Sequence, residues 1–184
     1  MRHFLVLALT TVLLASCGSP ASSTSTSNAT VWSSGTVSMS VPKGWTKLET
    51  KDIILPSQGS FVLGLRGTEK FGEFENLNIV VDDLVNPIPS TDYADTNFAL
   101  MSAKLASSVT LAAVPFTFND GTKGKLRTFE GKYNAVTNLK RYIQTARVCG
   151  KKAYVVTFTL ATSTKVTTDY ESMLKTFDCA TKTQ

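Results

Sequence analysis

Apolar residues recur at every second position through most of this chain. Val37, Met39 and Val41 alternate with Ser38 and Ser40, the pattern of a half-buried strand. Pro42-Lys43-Gly44-Trp45 then predicts a turn. Ile53–Leu55 is a short apolar run before Pro56, and Phe61, Leu63 and Leu65 alternate as another strand. Leu77, Ile79 and Val81 point one way and Val80 and Leu84 the other, so that strand should be buried on both faces. Pro87 and Pro89 break the chain after it. The period then changes. Ala94, Phe98, Met101, Leu105 and Val109 form one helical stripe, which predicts a helix over Asp92–Val109 with Asp92 and Asp95 at its dipole-favoured start. Alternation returns at Val114, Phe116 and Phe118, and Asn119-Asp120-Gly121 marks a turn. Strands are predicted at Lys125–Tyr133, Leu139–Val148 and Ala153–Ala161, the last two joined by Gly150-Lys151. A closing helix over Thr168–Phe177 has Thr168 and Glu171 placed as a capping box. Its stripe is Val166, Tyr170, Met173 or Leu174, and Phe177. Strands joined by short turns imply an antiparallel sheet. Two amphipathic helices must cover it, and strands apolar on both faces call for cover on both sides.

The first 16 residues do not fit this pattern. Arg2 supplies a positive start and Phe4–Leu14 a short apolar run. A spanning helix needs about 20 apolar residues, so the run reads as a signal peptide. Leu14-Ala15-Ser16-Cys17 resembles the lipobox of bacterial lipoproteins, in which the cysteine becomes the lipidated N-terminus. That resemblance implies a lipid anchor at Cys17 and an extracytoplasmic, membrane-tethered protein. Gly18–Thr30 is Ser/Thr-rich and without apolar periodicity, so residues 17–30 should form the lipidated cysteine and a flexible tether. A single domain should occupy 31–184.

Charge sharpens the picture in one region. Residues 18–119 carry 6 basic and 9 acidic side chains, whereas residues 120–184 carry 12 basic and 5 acidic. Such asymmetry suits a face for anionic lipid, cell-wall polymer or an acidic partner, or simply solvated strand positions. Lys123, Lys125, Arg127, Lys140, Arg141 and Arg147 are the candidates for one basic surface. Alternation places Arg141 and Arg147 on one strand face and Lys140 on the other. No nucleic-acid recognition motif is present.

Candidate chemistry is sparse. The single histidine, His3, leaves with the signal peptide, which removes the usual parts for nucleophilic catalysis. Of the three cysteines, Cys149 and Cys179 remain as a pair in a compartment where disulfides persist. Two thiols without a nearby His make a poor zinc site, so a structural disulfide is expected. Glu69, Glu73, Glu75, Asp82 and Asp83 are the densest carboxylates, but without EF-hand spacing they read as a solvated loop and strand end, and no metal or cofactor is expected. Trp32 and Trp45 bracket the first strand, where a surface Trp can stack a sugar or anchor an interface. Tyr133 and Tyr142, interleaved with Lys132, Lys140 and Arg141, read either as a ligand face or as solvent-facing strand positions.

Several segments in order resemble the Mog1/PsbP-like domain: Val41-Pro42-Lys43-Gly44-Trp45, Thr91-Asp92-Tyr93 opening a helix, Lys152-Ala153-Tyr154-Val155-Val156-Thr157-Phe158, and Met173-Leu174-Lys175-Thr176-Phe177. The resemblance implies an α+β fold, an α/β/α sandwich with a central antiparallel sheet flanked by helices, and Trp45 packed on the sheet edge. It carries no activity: plant members assist photosystem II and Mog1 members bind a small GTPase. No catalytic residue transfers, and the Cys149/Cys179 pair lies outside the pattern. The expected function is a non-catalytic adaptor lipoprotein that binds another envelope protein. The alternative is a binder of a small ligand, lipid or wall polymer in a groove between helix and sheet.

Overall fold

The computed structural model describes residues 29–49 and 59–179. The signal peptide, Cys17, most of the tether and the Ile53–Leu55 run lie outside the described residues. Ten strands and two helices follow one another: β1 (Ala29–Ser34), β2 (Val37–Pro42), β3 (Thr46–Lys47), β4 (Ser60–Lys70), β5 (Glu73–Asp83), α1 (Ser90–Ser102), β6 (Ser107–Thr117), β7 (Lys123–Lys132), β8 (Lys140–Cys149), β9 (Lys152–Ala161), α2 (Thr168–Lys175) and β10 (Asp178–Cys179).

Seven strands form one antiparallel sheet in the order β3-β4-β5-β9-β8-β7-β6, and three form a smaller one, β1-β2-β10. Short turns dictate the antiparallel pairing. The β8–β9 connection is two residues, with Cys149 opposite Lys152 and Gly150 at φ 63°, a conformation that glycine adopts without strain.

Both faces of the large sheet are covered, as the two-sided strands require. On one face Leu77, Ile79, Val156 and Phe158 pack with Val37, Met39 and Val41 of the small sheet and with Leu174 and Phe177 at the end of the chain. On the other, Tyr93 and Ala94 of α1 pack with Val80, Ala153 and Val155, and Met101 with Phe129 and Tyr142. The fold is therefore largely antiparallel sheet with two helices. The small sheet shares the cover of one face with α2, so that layer is not helix alone.

The sequence pattern misplaces several boundaries. The first helix ends at Ser102, and Val109 is an exposed residue of β6. Lys104 and Leu105 donate to Met101 O and Ser102 O, closing the helix in a tight turn. From Ser107 the chain pairs with β7 over ten positions, and this ladder overrides the stripe at β-branched Val109 and Thr110. Leu105 stays buried past the helix end. The second helix ends at Lys175, Val166 is exposed, and its N-cap is Thr167. Glu171 accepts a hydrogen bond from the Thr167 hydroxyl at 2.7 Å instead of capping the Thr168 amide. A register shift between Phe61 and Leu63 brings Val62, with Leu63 and Leu65, against the core and breaks the simple alternation. Ala29 and Thr30, assigned to the tether, are already paired in β1.

Candidate functional site

Two places combine exposed surface with distinctive chemistry: the junction of the two sheets and the free edge of β6.

At the junction, Cys149 and Cys179 are disulfide-bonded with Cα atoms 5.7 Å apart. The bond ties β8 of the large sheet to β10 of the small one. Two residues away, Arg147 is almost wholly buried. Its guanidinium donates to Phe177 O and Asp120 Oδ2, each at 2.5 Å, and lies 3.2 Å from Asp178 Oδ1. It also stacks 5.0 Å from the Phe118 ring centroid. Partial burial opposes ionisation of Asp120, but the Thr122 amide and hydroxyl together with Arg147 outweigh it and hold the carboxyl below its ordinary pKa. A groove of about 420 Å³ opens here, lined by Met39, Asn119, Asp120, Arg147, Thr176 and Phe177 among others.

The six basic candidates do not form one surface. Lys125 and Arg127 lie on the α1 face, where both pair with Asp95. Arg141 and Arg147 lie on the opposite face. Arg141 pairs with Glu130, directly across the β7–β8 ladder, and donates to Thr164 O. Lys140 pairs with Glu73 at 2.8 Å, and Lys123 donates to the Thr117 hydroxyl. Strand pleating separates the two sets, because alternate residues leave the sheet on opposite sides. Local carboxylates compensate five of the six charges.

The acidic group is likewise dispersed. Glu75 is buried, accepting from the Tyr170 hydroxyl at 2.8 Å with Lys70 Nζ 3.0 Å away. Burial, with Glu75 adding, raises the Tyr170 hydroxyl pKa. Asp82 accepts from Tyr93, and Asp83 pairs with Lys152. Tyr142 is buried and stacked on Phe129, which removes it from a ligand face, whereas Tyr133 is partly exposed. Trp45 packs edge-on to Phe158 across β4, where Gly67 makes room: a Cβ at position 67 would lie 2.5 Å from the indole.

The β6 edge was not singled out by sequence patterning. Its strand is 11 residues long, pairs on one side only among the described residues, and exposes Val109, Leu111 and Val114. Ser107–Thr117 contains no charged residue. That run of uncharged residues was the available signal, and its first part was absorbed into the helical stripe.

No family model matches the chain, and no curated protein matches it. Among solved structures, it is similar to the solution structure of cyanobacterial PsbP (CyanoP) from Synechocystis sp. PCC 6803. The TM-score is 0.59 at 13% identity, covering 88% of this chain and 98% of that one. A crystal structure from Bacteroides thetaiotaomicron VPI-5482 matches at TM-score 0.47 and 11% identity, over 80% of this chain and 46% of that one. The chain has the PsbP-like fold.

Proposed function

We propose that this chain is a lipid-anchored, extracytoplasmic adaptor of a bacterial envelope, held by Cys17, that binds another protein and performs no catalysis. The observation that carries the reading is the β6 edge: an uncharged strand of 11 residues with exposed apolar side chains and, among the described residues, one unpaired side. Natural proteins usually shield such edges, and an unshielded one is a template for another chain. In this reading α1 forms one outer layer of an α/β/α sandwich and α2, beside the small sheet, the other. The anchor would keep the edge close to envelope partners.

The test is affinity capture from detergent-solubilised membranes using the full-length chain and the Leu111→Lys variant. One protein partner should be retained in stoichiometric amount by the first and lost from the second. Cys17→Ser should separately release the protein from the membrane fraction. Equal retention of the partner by both chains removes the edge from the reading, and membrane retention of a normally processed Cys17→Ser variant removes the anchor.

A second reading rests on the groove at Arg147, whose volume and mixed apolar and charged lining suit a small ligand. Native mass spectrometry showing a bound lipid or glycan and no protein partner would favour it.

A further inference from the structure

The backbone of β6 limits what can pair with it. Phe118 N–H donates to Thr122 O at 3.0 Å at the mouth of the β6–β7 turn, and Phe116 faces Gly124 in the same register. Bonded pairs recur at alternate residues of an antiparallel ladder. Phe116, Val114 and Ala112 therefore turn their backbone groups to β7, while Thr117, Pro115 and Ala113 turn theirs outward. Pro115 has no N–H, so the outward row of donors is interrupted there. The stretch that keeps its outward N–H groups is Ser107–Ala113, with a register shift between Thr110 and Ala112 inside it.

The ends of this strand are basic. Lys132 lies opposite Ser107, Lys104 precedes it by three residues, and Lys123 lies opposite Thr117. Among the described residues none of these three forms an ion pair, whereas Asp95, Asp120 and Glu130 nearby are all engaged by other cations. A second copy pairing antiparallel across a two-fold axis would bring the Lys123 end of one strand toward the Lys104 and Lys132 end of the other, like charge against like. An uncharged strand between basic ends complements a segment of the opposite pattern.

We propose that β6 receives an extended partner segment as an added strand along Ser107–Ala113, and that this segment is uncharged and apolar at its centre and acidic at both flanks. The proposal rests on the adaptor reading and specifies its partner. Backbone hydrogen bonds supply affinity, Val109 and Leu111 supply apolar contact, and the flanking lysines set specificity and salt dependence.

The test uses the full-length mature chain in neutral-lipid nanodiscs. The probes are three synthetic peptides with the same Val/Thr centre: one flanked by Asp, one flanked by Lys, and one Asp-flanked with alternate backbone nitrogens methylated. The Asp-flanked peptide should bind about tenfold or more tighter than either control, the scale of one lost charge-assisted hydrogen bond. Its affinity should fall as salt rises. Amide exchange should slow in Ser107–Ala113 alone. Ala113→Pro, which removes an outward donor, should weaken binding about as much as backbone methylation. Val109→Lys serves as a second variant with the backbone intact and should also weaken it. Equal binding of the Asp- and Lys-flanked peptides, or protection elsewhere in the fold, would overturn the proposal. So would self-association that protects β6 without peptide. A photo-crosslinking residue at position 111, and separately at 47 and 119, then distinguishes the two levels in cells. Crosslinks to a protein from 47 or 119 but not from 111 overturn strand addition and leave the adaptor reading intact. Absence of protein crosslinks at all three positions defeats both.

Discussion

The two ends of the large sheet are built on opposite principles. At one end, among the described residues, β3 pairs with β4 at Thr46 and Lys47, and the Leu48 amide donates to Gly64 O at 2.9 Å. The strand behind it carries two register shifts and the charged residues Arg66, Glu69 and Lys70, and Trp45 is laid over Gly67. At the other end, β6 runs for 11 residues with no charge and a single shift. Short pairing, bulges and charge are the usual protections of a sheet margin. The β3–β4 margin has all three, whereas the β6 margin has only the register shift between Thr110 and Ala112 and the missing donor at Pro115. Among the described residues, then, one margin of the sheet carries these protections and the other is largely without them.

The sharpest test of this contrast places the same change at both margins. Leu65→Lys inserts a charge where the side chain is buried, and should destabilise by about 4 kcal/mol or fail to fold. Leu111→Lys inserts it where the side chain is half exposed, and should stay within about 0.5 kcal/mol of the native chain. Urea denaturation of both checks the pair, and similar losses would show that β6 is no more open than β4.

Replacing Cys149 and Cys179 together by Ala should lower stability by about 3–4 kcal/mol, the chain-entropy cost of opening a loop that spans 30 residues. The bond joins β8, inside the large sheet, to β10 at the edge of the small one, so amide exchange should accelerate first in β10 and β8 and not at the β3 margin. Acceleration at the β3 margin equal to that in β8 would show that the bond supports the whole sheet rather than the junction. Next in size, Gly67→Ala should cost about 1–3 kcal/mol by forcing Trp45 from its seat. Ala113→Val on the exposed margin should be neutral within about 0.5 kcal/mol by thermal melting.

The smallest effect is electrostatic. The hydrogen bond from Lys125, 2.5 Å from Asp95 Oδ2, outweighs slight burial and, with Arg127, holds the Asp95 carboxyl below its ordinary pKa. The folded state then binds fewer protons than the unfolded chain, whose carboxyl titrates near about 3.9. The stabilisation is complete above that pH and is lost as pH falls through the lower folded value. Because the carboxylate is nearly half exposed, the gain is under about 1 kcal/mol. Asp95→Asn should narrow its stability deficit against the native chain on acidification from pH 5 to 3. An unchanged deficit would remove the ion pair from the support of β7.

Much of the sheet was legible because alternation is local. Tyr154, Val156, Phe158 and Leu160 share one face as their spacing requires, and each predicted turn between β6 and β9 is present. What alternation does not encode is pairing at long range. The two-residue β3 and β10 carry no period of their own and exist because β4 and β2 offer them ladders. The same holds for charge. Arg147 reads from sequence as one of several basic strand residues, yet it is buried because Phe177 and Asp178, some 30 positions later, return to meet it. The β6 margin was hidden by a period that continued by coincidence from a helix into a strand.

The disulfide also fixes the covalent topology of the chain. It closes a ring through residues 149–179 that contains β9, α2 and the exposed pair Lys151 and Lys152. A trypsin-like protease that cuts after either lysine opens the ring without releasing a fragment. The nicked molecule gains only one water, and its two pieces stay joined by the Cys149–Cys179 bond until it is reduced. Damage at that hairpin tip thus separates no fragment, and reduction is what parts the two pieces.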